Sequence, residues 1–184
     1  GGVHFAPLWQ MSEELYAIGL RHKLMGQVNL ALLGREILND GGSITLSSGI
    51  LSEQPIRQGS SASMVNAAID AFVRAAAIEL DRGLRINAVS PNVVQESMPA
   101  YAPYFRGFDA IPAARAALAY SRSVEGAQTG QVCRCWCSAV ACACGKAWSI
   151  RAPRSSVRGQ GMVVSPVSAA FFPARRYVPG QCGT

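Results

Sequence analysis

An α/β fold built on a parallel sheet, followed by an irregular C-terminal tail, is what this 184-residue sequence predicts. Three observations carry that prediction. Segments with helical periodicity alternate with short β-branched segments from residue 12 to residue 136, the pattern of strands joined by helical crossovers. Residues 1–130 hold ten Lys/Arg and all eleven Asp/Glu, a net charge of −1, whereas residues 131–184 hold seven Lys/Arg, no acidic residue and all six Cys, a net charge of +7. The composition of residues 137–184 has neither helical nor strand periodicity. The basic balance therefore belongs to the tail and excludes reading the whole chain as a nucleic-acid binder from its charge. The length fits one domain with an appendage.

Taken in order, Pro7 closes an opening loop and Ser12 is placed to cap a helix whose first turn carries Glu13 and Glu14. Apolar residues at helical spacing continue it to residue 38, and Asn39-Asp40-Gly41-Gly42 stops it. Residues 43–48, Ser-Ile-Thr-Leu-Ser-Ser, alternate as a strand. A polar loop with Pro55 and Gly59 leads to a second helix over 61–80, with Val65, Ile69, Phe72, Val73 and Ala76 on one face. Asp81-Arg82-Gly83 turns the chain into a second strand over 84–90, ended by Pro91-Asn92. Residues 97–110, rich in Pro and aromatics, read as an ordered loop. Pro112 begins a short helix to about residue 123, and Gln131 to Trp136 makes a third strand.

Four of these segments, in this order, resemble the C-terminal half of the short-chain dehydrogenase/reductase family. They are Gly42 to Ser48, Ala67 to Leu80, Leu84 to Pro91, and Thr129-Gly130-Gln131-Val132. Within that family the chain is most similar to a short, atypical bacterial branch, through Lys23-Leu24-Met25-Gly26-Gln27-Val28-Asn29-Leu30 and Gly126-Ala127-Gln128-Thr129-Gly130. The resemblance implies a partial Rossmann-like parallel sheet, family strands 5, 6 and 7 with flanking helices, over residues 1–136. The basic Cys-containing tail, 137–184, is expected to be irregular. No Gly-rich pyrophosphate turn occurs in the sequence, and Gly1 matches the last Gly of the family's Asn-Asn-Ala-Gly segment. The chain lacks an initiator Met; it is expected to be either processed or trimmed, or a fragment of a longer product. Strand 43–48 would then lose a neighbour and present an unpaired edge.

What the resemblance implies for the site follows residue by residue. Ser48 falls at the family's substrate-orienting Ser. The family's Tyr and Lys, four residues apart on one helix face, fall on Ala62 and Asn66, which cannot transfer a proton or carry charge. The helix Asn that relays protons falls on Lys23, readable as an acid, as a neighbour of a cofactor phosphate, or as an ordinary helix Lys. Pro91, Asn92 and Val94 fall where the family lines the nicotinamide, and Asn92 is suited to a positive-φ turn in place of Gly. Glu96 falls at a phosphate-contacting Thr position, where a carboxylate would repel phosphate. The expectation is therefore Ser48 and Lys23 as catalytic residues and Gly1, Asn66, Pro91, Asn92 and Val94 as cofactor-binding ones. NADP or NAD would serve the full-length parent, acting on a small carbonyl or alcohol, with the isolated chain inactive. The alternative is a non-enzymatic dinucleotide-binding or dimerising scaffold, since helices 12–38 and 61–80 are the family's usual dimer surfaces.

Other chemistries find less in the sequence. Cys133-Arg134-Cys135-Trp136-Cys137 and Cys142-Ala143-Cys144 are dense in thiols, but without Cys-x2-Cys knuckles or a nearby His no metal is expected. The scattered tail Arg/Lys with Trp148, Phe171, Phe172 and Tyr177 accompany no nucleic-acid module, so no nucleic-acid partner is expected. The tail's composition is also that of an out-of-frame or read-through translation of GC-rich DNA. His4 and His22 read as surface or loop residues, and Ser60-Ser61 as a helix cap. No apolar run approaches the ~20 residues that span a bilayer, and the first residues do not form a signal peptide, so a cytoplasmic protein is expected.

Overall fold

The computed structural model describes residues 2–137 and the backbone of a strand at 161–163. The first helical stretch begins as α1 (Glu13–Gly19), with the Ser12 hydroxyl accepting the Leu15 N–H at its start. It widens into a π-helical turn, Leu20–Met25, and resumes as α2 (Gly26–Ile37). The single helix expected over 12–38 is thus three segments, because a register change from i−4 to i−5 bonding leaves no mark on hydrophobic spacing. Next come β1 (Ser43–Ser47), α3 (Ser60–Glu79) and β2 (Arg85–Pro91). The 97–110 loop contains a single helical turn, α4 (Met98–Tyr101). α5 (Ala113–Glu125) and β3 (Val132–Cys135) follow, and β4 (Gly161–Val163) completes the set.

The sheet has the order β3-β2-β1-β4, with every pairing parallel. Ile44 and Leu46 on β1, with Ile86 and Ala88 on β2, join Val65, Ile69 and Val73 of α3 in the main core. The intervening residues of β1 are polar and meet α5 on the other face: Thr45 Oγ1 lies 2.7 Å from Ser123 Oγ, and Ser47 Oγ bonds the Tyr120 hydroxyl. The alternation in the sequence is therefore an apolar face toward α3 and a hydrogen-bonded polar face toward α5. α3 is long and apolar enough to cross a membrane by length and composition, contrary to the expectation that no run is. Val65, Ile69 and Val73 are nonetheless fully buried in the core, as in a core helix of a globular domain.

Two features correct the expected open edge of β1. Ser43, Ile44 and Thr45 pair with Gly161, Met162 and Val163 of β4, a strand within the tail that sequence reading left irregular. One step further along, Gln27 clasps the backbone of Ser47: its Nε2 donates to the Ser47 carbonyl at 3.0 Å and its Oε1 accepts the Ser47 N–H at 2.7 Å. Gln27 is buried, and its amide supplies what a neighbouring strand would supply there. The packing of α1 on α3 depends on Gly19, where a Cβ would stand 2.9 Å from Ser61 Oγ and 3.1 Å from Val65. Residues 138–160 and 164–184 lie outside the described structure, with Cys142, Cys144, Trp148, Phe171, Phe172 and Tyr177.

Candidate functional site

The C-terminal ends of β1 and β2 open onto a cavity of about 530 Å³, lined in part by Ser97, Tyr101 and Phe105 of the 97–110 loop. Its walls are mostly apolar and aromatic, among them Phe5, Ile50, Val93, Phe105 and Tyr120. Ser48, Lys23, Asn66, Pro91, Asn92 and Val94, which the sequence singled out from segments up to seventy residues apart, all line it. Ala62, at the expected Tyr position, is on the same wall. Gly1 lies outside the described residues.

Lys23 reaches this cavity from the π-helical turn. Its Nζ donates to Asn66 Oδ1 at 2.6 Å and to the Ser48 carbonyl at 3.3 Å. Burial of the ammonium pulls its pKa down from 10.5 to about 8, opposed by the negative field of Asp70. Among the described residues it is the only formally charged side chain on the cavity wall. Asn66, buried on α3, holds it in place, and Gly49 lets Asn66 sit there, since a Cβ on residue 49 would be 3.0 Å from Asn66 Nδ2. A Lys on α1–α2 and an Asn on α3 thus meet across the site.

Ser48 is 6 % exposed, and its hydroxyl has no hydrogen-bond partner of good geometry. The hydroxyl oxygen is itself buried, so it meets a ligand only by turning toward the cavity that Ser48 lines. Behind it stands Asp70, one turn after Asn66. Burial raises the Asp70 pKa, and the nearby hydroxyls of Ser48 and Ser52, then Arg74 and Arg134, offset part of that rise. On the opposite side Tyr120 is a cavity-lining phenol whose pKa is raised by burial and lowered in part by its bond to Ser47. Sequence reading named neither Asp70 nor Tyr120. Asp70 had a usable signal: it sits four residues after Asn66, on the same helix face.

Asn92 differs from its expected role. Its Nδ2 donates to the carbonyls of Asp109 (2.8 Å) and Trp136 (3.1 Å), and its Oδ1 accepts the Val93 N–H at 2.7 Å. The side chain therefore ties the end of β2 to the cavity loop and to the end of β3. The positive-φ turn expected at Asn92 is absent, because the non-Gly residues with positive φ among those described are Gln58 and Arg82. Glu96 also has a structural use: both its carboxylate oxygens accept the Ala113 N–H, at 3.1 and 3.0 Å, at the start of α5.

Residues 2–145 match the family model described as enoyl-(acyl carrier protein) reductase. No curated protein matches the sequence. Among solved structures, the protein lin1944 from Listeria innocua is 51% identical, with a TM-score of 0.71, over 73% of this chain and 67% of that one. A small-chain dehydrogenase in complex with NADPH is 27% identical, with a TM-score of 0.65, over 72% of this chain and 67% of that one. A short chain dehydrogenase from Mycobacterium smegmatis is 26% identical, with a TM-score of 0.57, over 73% of this chain and 55% of that one. The chain thus spans between about half and two thirds of the length of these relatives.

Proposed function

The chain belongs to the short-chain dehydrogenase/reductase family, and from that premise we propose that it carries the substrate end of an NADP- or NAD-dependent oxidoreductase acting on a small carbonyl or alcohol. The observation that carries this reading is the placement of Lys23 Nζ, 2.6 Å from Asn66 Oδ1, beside Ser48 in the cavity lined by Pro91 and Val94. One relative of similar length coverage is a dehydrogenase holding NADPH, which supports that cofactor class here.

The residues fit one end of such a cofactor. Pro91, Asn92 and Val94 form a wall of the cavity on which a nicotinamide ring would lie, while the chain contains no Gly-rich turn to cradle the pyrophosphate. When bound, the nicotinamide exchanges hydride with the substrate carbon. The chain's own residues handle the oxygen. The Ser48 hydroxyl donates to the carbonyl oxygen and fixes its position. Lys23, as the ammonium, gives its Nζ proton to that oxygen as negative charge develops. Asn66 keeps Nζ aimed at the cavity. In this account a Lys and an Asn have exchanged places between two helices, and the proton comes from the amine because Ala62 has none to give.

The 184-residue chain alone is expected to be inactive. Titration with NADPH is then expected to show no micromolar binding, whereas a protein that joins this chain to a Gly-rich first half is expected to oxidise NADPH with small aldehydes or ketones. Micromolar NADPH binding by the chain alone would contradict the first statement; a joined protein that binds NADPH without turnover on any carbonyl would contradict the second. Leu32, Leu33 and Ile37 stand exposed on α2 and support a homodimer surface there, which sedimentation analysis checks. The same surface is what a dimerising scaffold would use, and a folded chain that dimerises in a joined protein without turnover would favour that reading. A cytoplasmic setting is part of the proposal.

A further inference from the structure

A neutral lysine amine has two N–H donors and one lone pair; an ammonium has three donors and none. Lys23 Nζ is offered two acceptors, Asn66 Oδ1 at 2.6 Å and the Ser48 carbonyl at 3.3 Å. Among the described residues no carboxylate lines the cavity to hold a third proton. This arrangement occupies both donors of the neutral amine and leaves its lone pair unused, and Lys23 lines an apolar cavity large enough for a small organic molecule.

We propose that Lys23 is a carbonyl-capturing amine, whose Nζ adds to the carbonyl carbon of a small aldehyde or ketone in the cavity and forms a reversible imine. The inference rests on the reading that carbonyl compounds enter this cavity, but it needs no cofactor. The balance is simple. A C–N bond forms as the carbonyl π bond opens, one amine proton moves to the oxygen, and the resulting carbinolamine loses water to give C=N. No oxidant or reductant takes part. Ser48 lines the same cavity beside Asp70, and its hydroxyl, turned toward the departing oxygen, passes it a proton, while the apolar lining favours loss of water.

The surroundings decide the pH range. From α3, Asp70 faces Lys23 and favours its proton, while Arg74 and, from β3, Arg134 act on Asp70. Tyr101 of α4 and Tyr120 of α5 are the other titratable groups on the wall among the described residues. Burial outweighs the Asp70 field, and the Lys23 pKa falls to about 8. Capture therefore grows as pH rises through about 8, and the protonated fraction below that remains available as an acid.

The chain has only two lysines, Lys23 and Lys146, which makes the test clean. The full chain is incubated with benzaldehyde and sodium cyanoborohydride, which reduces the imine to a stable secondary amine, and each lysine is read by peptide mass mapping. At about pH 7.5, an amine titrating near 8 has about two-hundredfold more neutral form than one near 10.5. Part of that advantage is lost to the lower nucleophilicity of the weaker base, so labelling of Lys23 over Lys146 by at least about tenfold is expected. The preference should vanish in urea, and its pH midpoint should lie near 8. Equal labelling of the two lysines in the native chain, or a midpoint above 10, overturns the proposal whether or not Lys23→Met folds; where it folds, a total benzaldehyde adduct as large as that of the wild type overturns it as well. NADPH oxidation by the joined protein is measured separately without cyanoborohydride. Trapping without turnover counts against the oxidoreductase reading alone, and turnover without trapping counts against the imine alone.

Discussion

Replacing Lys23 by Met removes the one charge that the described residues place on the cavity wall, and the structure sets how the consequence must vary with pH. In the folded chain the Lys23 pKa lies near 8; in the unfolded chain it returns to 10.5. The charged form is therefore disfavoured by folding, and its cost is fully present below about pH 8. As pH rises from 8 toward 10.5, the unfolded state holds a proton the folded state has already released, so wild-type stability rises. With 1.36 kcal/mol per pKa unit, the gain between pH 7 and pH 10 is about 2.5 kcal/mol as an upper figure, reduced to about 1–2 kcal/mol by partial exposure of the side chain. Lys23→Met abolishes this pH-dependent gain. It also leaves Asn66 Oδ1 and the Ser48 carbonyl without a donor, a pH-independent cost of roughly 1–3 kcal/mol each. Urea unfolding of both proteins under reducing conditions, at pH 7 and pH 10, separates the two effects. Subtraction at each pH cancels the other titrating groups, including Tyr120, whose raised pKa favours folding only below its own titration. A wild-type minus variant difference that stays constant within about 0.5 kcal/mol between the two pH values would refute a buried, depressed Lys23.

Three further outcomes follow from particular contacts. Gln27→Ala removes both bonds to the Ser47 backbone and should cost about 2–4 kcal/mol in urea unfolding, with more light scattering from the opened edge of β1. Asn92→Ala removes the bonds to the Asp109 and Trp136 carbonyls and from the Val93 N–H; a loss of about 2–4 kcal/mol and a changed Trp136 fluorescence are expected. Ser48→Ala removes a hydroxyl that helps offset the raised Asp70 pKa and should cost no more than about 1 kcal/mol in urea unfolding, yet lower hydride transfer in the joined protein roughly tenfold to a hundredfold.

The sequence was most legible where a physical pattern repeats along the chain. Ile44 and Leu46 alternate with Ser43, Thr45 and Ser47, and α3 and α5 do cover the two faces. The boundaries of α3, β2 and β3 fall within one residue or so of the spacing that predicts them. What spacing does not encode is the partner across a gap. Gln27 sits on a helical stripe like any polar residue, and only the tertiary fold brings it to the Ser47 backbone. Asp70 shares a helix face with Asn66, but its meeting with Ser48 depends on how α3 lies over β1. The π-helical turn that carries Lys23 changes hydrogen-bond register without changing composition. Strand Gly161–Val163 is three residues long, too short for alternation to show.

Proton transfer from Lys23 is the central claim, and the pH profile of NADPH oxidation by the joined protein with a small aldehyde tests it most directly. The amine must carry its proton to act as the acid, so the rate should fall as pH rises through about 8, and Lys23→Met should lose at least about a hundredfold and the inflection with it. A rate that stays level from pH 7 to pH 9.5, or a Lys23→Met protein that keeps both the rate and the inflection, would contradict it.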